Sequence, residues 1–197
     1  MRAVPPVPGS GGFMRDRPTD RVMIGPRSRR REVSRPVRLR PITPADHADV
    51  LALNERNVEL LAPLDEPRLA ALQEVADHAH VIEEDDAFAG FVVTFASGSA
   101  YDGENFGWFA ERYEDFCYLD RVVLHEDFRR RGLGSRVYDE IEQHAARTTA
   151  LFTLEVNLDP PNEPSLAFHR ARGYVEVGQR TTGDPSHVVA MLVKALH

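Results

Sequence analysis

The segment Arg129-Arg130-Arg131-Gly132-Leu133-Gly134-Ser135 constrains this chain more than any other. It follows an apolar run, Phe116 to Leu124, and opens a helical pattern from Gly132 to Arg147 whose apolar positions Leu133, Val137, Ile141 and Ala145 fall four apart on one face. The order is therefore strand, basic glycine turn, helix. Glycines in such a turn permit positive φ and close approach of the backbone. A helix N-terminus presents unpaired N–H groups and a partial positive charge, which suits an anion. Three arginines at the same end are mutually repulsive and oppose the helix dipole unless an anion sits among them.

The alternation around this segment continues. Leu151 to Asn157 reads as a second strand, and Glu163 to Ala171 as a short helix stopped by Gly173. Upstream, Val37 to Arg40 is a short strand. Thr43 and Pro44 cap and open a helix to about Leu60, with Val50, Leu53 and Leu61 on its apolar stripe. A second helix is expected from Pro67 to about Asp77. His80 to Glu84 and Ala87 to Phe95 read as antiparallel strands joined at Asp85-Asp86, with Gly90 marking a bulge. Ala96 to Gly107 reads as a loop. Tyr174 to Arg180 and His187 to Leu196 close the chain as an antiparallel pair. Only the middle alternates as βαβ, so the fold class is α/β (α+β), with a mixed, partly parallel central sheet flanked by helices.

Charge divides the chain in two. Residues 1–36 hold nine arginines against three acids, so residues 37–197 carry 15 basic and 28 acidic side chains of the −7 total. The arm is rich in Pro, Gly and Arg and has little to bury, so residues 1–36 are expected to be a disordered basic tail on a 37–197 domain. Its only aromatic residue is Phe13, which argues against a nucleic-acid partner. No run of about 18 apolar residues occurs, and the N-terminus lacks the h-region of a signal peptide, so no membrane contact and a cytoplasmic setting are expected. Cys117 is the single cysteine; it reads as a packed strand residue and excludes an internal disulfide or a cysteine-cluster zinc site. His78-x-His80 has no third ligand near it in sequence, so no metal is expected.

The anion can be narrowed. A Walker loop needs Lys after its second glycine, and the dinucleotide fingerprint needs a third glycine where this chain has Val137. What remains is Arg-x-x-Gly-x-Gly. With Leu119 to Phe128 upstream and Asn162-Glu-Pro-Ser-Leu-Ala-Phe-His169 to Tyr174 downstream, this pattern resembles the GNAT acetyltransferase superfamily over about residues 116–180. Within it, Glu155 to Asn162 resembles a bacterial group carrying Glu-Val-Asn-x-x-Pro-Pro-Asn. The resemblance implies a GNAT-like domain and acetyl-CoA as cosubstrate, with Val122, Val123 and Leu124 pairing with the pantetheine arm. It implies Arg129, Arg130, Arg131, Gly132, Leu133, Gly134 and Ser135 around the pyrophosphate, and Asn162 as a further cofactor contact. It implies a glutamate base at Glu155, which reads equally as an exposed strand-end acid; Asp120, on the cofactor strand, is a second candidate that reads equally as an ion pair with Arg121. It also implies a proton donor at position 169, where the superfamily has tyrosine and this chain has His169; Tyr118, Tyr138 and Tyr174 are alternatives. The implied reaction is acetyl transfer to an amine of a small molecule or peptide. The rival from another class is a non-catalytic acyl-CoA sensor; a homodimer is compatible with either. The Tyr101 to Phe109 stretch is read equally as a wall of the acceptor pocket or as a local anchor. Asn54 and Glu55 are candidates for the same pocket, with a solvated helical face the favoured reading.

Overall fold

The computed structural model describes residues 37–182 and 187–196. The expected disordered tail at 1–36 lies outside the described residues. Seven strands form one sheet in the order β1 (Arg38–Pro41), β2 (His78–Glu84), β3 (Ala87–Ala96), β4 (Cys117–Leu124), β5 (Leu151–Asp159), β7 (His187–Ala195), β6 (Val175–Thr182). Every neighbouring pair is antiparallel except β4 and β5, which are parallel and joined through a helix. The sheet is thus mixed but mostly antiparallel; among the described residues one crossover runs through the basic turn and α4 from β4 to β5, and a second runs through α5 from β5 past β7 to β6.

Helices cover both faces. On one side lie α1 (His47–Glu55), α2 (Glu66–Val75) and α3 (Glu104–Ala110); their buried side chains, Val50, Leu53, Leu69, Leu72, Phe106 and Phe109, meet Phe91, Phe95 and Tyr118 of the sheet. On the other lie α4 (Leu133–Ala145) and α5 (Glu163–Ala171). The α4 positions Leu133, Val137, Ile141 and Ala145 pack on Leu119, Phe152 and Leu154 as the four-residue spacing predicts. Glu142 ties this layer together. It accepts hydrogen bonds from Arg172, Tyr174 and Lys194. Burial alone would raise its pKa, but these donors outweigh burial and hold it below the ordinary value.

Three local expectations change. The first helix ends at Glu55 rather than near Leu60, and it begins with a 3-10 turn at Pro44–Asp46 closed by the Thr43–Asp46 capping box. The expected loop at 96–107 runs into α3, because Phe106 and Phe109, three apart, bury against Phe116 and Tyr118 once the sheet is present. Asn54 is fully buried rather than solvated. Glu55 remains exposed.

The bulge expected at Gly90 is present: Ile82 faces Gly90 while Glu83 faces Phe88, leaving Ala89 extra. A Cβ on Gly90 would lie 2.0 Å from the Val123 carbonyl oxygen, near the end of the strand that lines the site described next. Gly90→Ala must therefore push β3 from β4. The expected loss is about 3 kcal/mol, at the upper end of overpacking costs, read from the urea midpoint at unchanged m-value.

Candidate active site

The sheet splits where β4 and β5 should pair. Their register holds only at Cys117 with Phe152 and Tyr118 with Thr153. Immediately beyond, Val93 faces Arg121 while Thr94 faces Leu119, so Asp120 is an extra residue in β4. A bulge of this kind bends the strand that carries it. The two strands diverge, and a cleft of about 560 Å³ opens between Leu119–Leu124 on one side and Leu154–Asn157 on the other. Backbone groups on the β4 edge that faces the cleft have no strand partner, which leaves them for an extended ligand.

The basic turn sits at the mouth of this cleft. Arg130 has φ 60° and Gly132 φ 74°, so two nearly adjacent residues are left-handed. Gly132 is the N-cap of α4 and brings no side chain to cap it, so the first N–H groups of the helix remain available to a ligand. The left-handed Arg130 is a strained residue of the sort found where function over-determines the backbone. The arginine triplet divides its labour. Arg129 donates from Nε to the Leu124 carbonyl at 3.0 Å and from Nη2 to Asn57 at 3.0 Å, bracing the turn against β4 and the end of α1. Arg130 lines the cleft. Arg131 lies over the Phe128 ring, 5.8 Å from its centroid, and away from the cleft.

Two carboxylates at the split have different surroundings. Both oxygens of Asp120 are taken: Oδ1 accepts the Tyr101 hydroxyl at 2.5 Å and Oδ2 accepts Arg121 Nε at 2.7 Å. Arg121, itself buried, also donates to Asn54 Oδ1 at 2.9 Å. Asp120 is therefore the structural partner of a buried arginine. Glu155 has only neutral partners. Its Oε2 accepts the Tyr118 hydroxyl at 2.8 Å, and Asn105 also donates to it. Burial, then the neighbouring Asp120 charge, push its pKa up to about 7. A carboxylate in that range can take a proton from an ammonium-like group near neutral pH.

His169 lies across the cleft on α5, and it is buried. Its Nδ1 is 2.7 Å from the Ser165 carbonyl oxygen, which can only accept, so Nδ1 carries the proton. Nε2 is then the acceptor for the Tyr138 hydroxyl at 2.7 Å. Burial lowers the His169 pKa, which keeps this neutral tautomer. The proton between the two rings therefore belongs to Tyr138, whose own pKa burial drives far upward. Tyr138 and His169 both line the cleft.

With this geometry in view, the comparisons with known proteins decide the family. The profile described as the Acetyltransferase (GNAT) family matches residues 48–174, well over half of the chain. The chain belongs to the GNAT acetyltransferase family. No curated protein sequence matches it. Solved structures share the fold at low identity. Ard1 from Thermoplasma volcanium aligns over 81% of this chain and 97% of its own, with TM-score 0.64 and 16% identity. The ribosomal-protein-alanine N-acetyltransferase from Brucella melitensis covers 80% and 99%, at 0.59 and 20%. The putative acetyltransferase yncA from Salmonella typhimurium, solved with acetyl-CoA as its cofactor, covers 82% and 94%, at 0.58 and 18%.

Within this GNAT domain the cleft gathers Val122, Val123, Leu124, Arg129, Arg130, Gly134, Glu155, Asn162 and His169 of the residues expected from sequence. It does not gather Arg131, Gly132, Leu133 or Ser135. Leu133 is a core residue, buried at the head of α4, and Gly132 and Ser135 shape the turn and first helical residues. Asn162 caps α5 with its side chain, accepting from the Ser165 N–H. The Tyr101–Phe109 stretch does not line the cleft; it reaches Asp120 and Glu155 from behind, with Tyr101 stacked on Phe95 at 3.9 Å. Tyr174 is core, bonded to Glu142, and Cys117 is buried with its thiol pushed up to about 12 by burial, which leaves it protonated and inert. Asn54, read by preference as a solvated face, and Asn105, read only as part of its loop, in fact hold Arg121 and Glu155. Asn54 had a signal: it stands four after Val50 and next to Leu53, on the buried face.

Glu155 gives a stability prediction that needs no substrate. Its folded-state pKa is raised from 4.5 to about 7, so the native protein holds a proton that the unfolded chain has released. Its contribution is fully present below about 4.5 and is lost as pH rises through about 7. Glu155→Gln removes this term. The variant should melt higher than the parent at pH 8, and the gap should shrink steadily as pH falls to 5. A gap independent of pH would place an ordinary, unshifted carboxylate at this position.

Proposed function

We propose that this GNAT domain transfers the acetyl group of acetyl-CoA directly to an amine acceptor, a small molecule or a peptide N-terminus or side chain. The observation that supports it is the split between β4 and β5, with the anion-binding turn at its mouth and a carboxyl of pKa about 7 at its base. In this reading the pantetheine arm adds to the free edge of β4 along Val122 to Leu124, as a further strand would. The pyrophosphate rests on the N–H groups heading α4, with the charge of Arg130. The backbone N–H near Val122 polarises the thioester carbonyl.

The chemistry then follows from the side chains present. An alkyl amine has a pKa of about 10.4 and arrives protonated. Glu155 takes that proton, directly or through a water. The neutral nitrogen attacks the carbonyl carbon, the resulting cationic nitrogen releases its second proton to solvent, the C–S bond breaks, and the thiolate leaves. Thiols ionise near 8.5, and a donor at the leaving sulfur lowers the barrier. Tyr138, kept protonated by burial, is the donor in this reading: its hydroxyl turns from His169 Nε2 to the leaving sulfur and regains a proton from solvent after transfer. His169 holds the Tyr138 hydroxyl in position, because its own proton is committed to the Ser165 carbonyl. This replaces the expectation that His169 itself is the acid. The sensor alternative has the same cofactor cleft but needs no base, and Glu155 with its raised pKa favours the enzyme.

Two experiments test this. A Cβ on Gly134 would meet only Leu124 Cδ1, at 3.6 Å, so a larger side chain there folds but projects into the cleft. Gly134→Val is expected to weaken CoA binding at least tenfold, about 1.4 kcal/mol, with an unchanged circular dichroism spectrum; unchanged affinity would make the turn merely structural. Once a panel of amines has supplied an acceptor, Tyr138→Phe is expected to lower kcat about 100-fold with little change in acetyl-CoA affinity. His169→Phe should cost less. Full kcat in Tyr138→Phe would assign the leaving-group proton to water, and no turnover with any amine would favour the sensor.

A further inference from the structure

A second cavity, of about 360 Å³, lies between β1, β2 and the C-terminal half of α4, away from the acetyltransferase cleft. Its walls include His78, His80 and His144. The sequence places His78 and His80 two apart on one strand, so both face the same way. What it does not reveal is that His144, in the last turn of α4, stands over them. The rings of His78 and His144 meet edge to face with centroids 4.0 Å apart. Asp77, at the entry to β2, brings a carboxylate oxygen to 3.6 Å from His78 Nε2. Oxygen and nitrogen atoms of Asp77, His78 and His144 all lie within 4.8 Å of one another.

The hydrogen bonding of His78 points to a missing positive charge. Its Nδ1 is 3.2 Å from His80 Nδ1, so one of the two nitrogens donates to the other. With His78 as donor, its Nε2 is a bare lone pair. That atom is buried and has no hydrogen-bond partner, although it is turned toward the Asp77 carboxylate. A ring nitrogen turned toward a carboxylate at this distance calls for positive charge between them, supplied either by a proton on Nε2 or by a metal ion. The arrangement is the one used by metal-binding histidines, in which one ring nitrogen ligates and the other donates to a neighbour that fixes the tautomer. The end of α4 adds its partial negative charge on the same side.

We propose that Asp77, His78 and His144 form a binding site for a divalent transition metal of the Zn²⁺ class, with His80 orienting His78. Two imidazoles and one carboxylate suit Zn²⁺, Co²⁺ or Ni²⁺ rather than the oxygen-seeking Mg²⁺ or Ca²⁺. Bond lengths of about 2.0–2.1 Å in a tetrahedral site put ligand atoms about 3.3 Å apart, so small side-chain rotations close the three ligands around the ion. The cavity leaves room for water as the fourth ligand. Such a site joins β2 to the far end of the helix whose other end carries the basic turn. The proposal departs from the expectation of no metal drawn from the His78-x-His80 pair alone.

The test is a calorimetric titration of the chelator-stripped full-length protein with ZnCl₂, repeated with CoCl₂ while recording the visible d–d spectrum, and with MgCl₂ as the control ion. The expected result is saturable uptake of one Zn²⁺, a tetrahedral Co²⁺ spectrum, no Mg²⁺ binding and a higher melting temperature with Zn²⁺. His144→Leu and Asp77→Asn should each weaken Zn²⁺ binding tenfold or more, and His47→Ala, outside the cluster, should leave it unchanged. Should His144→Leu fail to fold, Asp77→Asn decides, since Asp77 is on an exposed turn. Absence of saturable Zn²⁺ uptake by the parent protein, or uptake that survives in folded His144→Leu or Asp77→Asn, overturns the proposal.

Discussion

Everything in the candidate active site depends on two parallel strands that stop pairing after two residues. Backbone N–H and C=O groups inside a sheet must find partners, and a central strand ordinarily finds them on both edges. Here the extra residue at Asp120 turns β4 away from β5, and the edge from Leu119 to Leu124 is left open inside the molecule. A domain that kept this edge open without function would lose hydrogen bonds for nothing. The proposed cofactor arm supplies the missing strand, and the turn at the top of α4 is placed where such a ligand would carry its phosphates.

The bulge has a second consequence. It brings a carboxylate, Asp120, beside Glu155 at the point of the split. The Asp120 charge adds to burial in raising the proton affinity of Glu155. The fold pairs Asp120 with Arg121, anchors Arg121 on Asn54 from α1, and takes the other Asp120 oxygen with Tyr101. Glu155 is left with neutral donors and a raised pKa. The asymmetry, rather than either residue alone, sets up one structural acid and one chemical one.

Helix α4 joins the two proposals. Its N-terminus forms the basic turn, its middle carries Tyr138 toward His169, and its last turn carries His144 toward His78. A metal at the far end would hold the helix against β2 while its other end receives an anion. Its buried face is the four-residue apolar stripe, and its polar positions carry the chemistry.

Much of this was legible in the chain itself. The strand, glycine turn and helix around Arg129 to Ser135 follow from local spacing, as do the βαβ middle, the bulge at Gly90, the α5 stop at Gly173 and the closing hairpin. These are short-range patterns in which backbone conformation and hydrophobic period agree. The aromatic spacing of Phe106 and Phe109 was too short a pattern to declare α3 without the sheet that buries it. The proton on His169 was not legible, because it is fixed by the Ser165 carbonyl one helical turn away and by a tyrosine 31 residues earlier. Nor was the separation of Asp120 from Glu155 in role, nor the arrival of His144 over His78. Sequence determined most of the elements, α3 excepted, and the basic glycine turn that suits an anion. Tertiary structure alone decided protonation and ligand geometry, because those depend on which distant groups are brought within about 3 Å of one another, where hydrogen bonding and desolvation act.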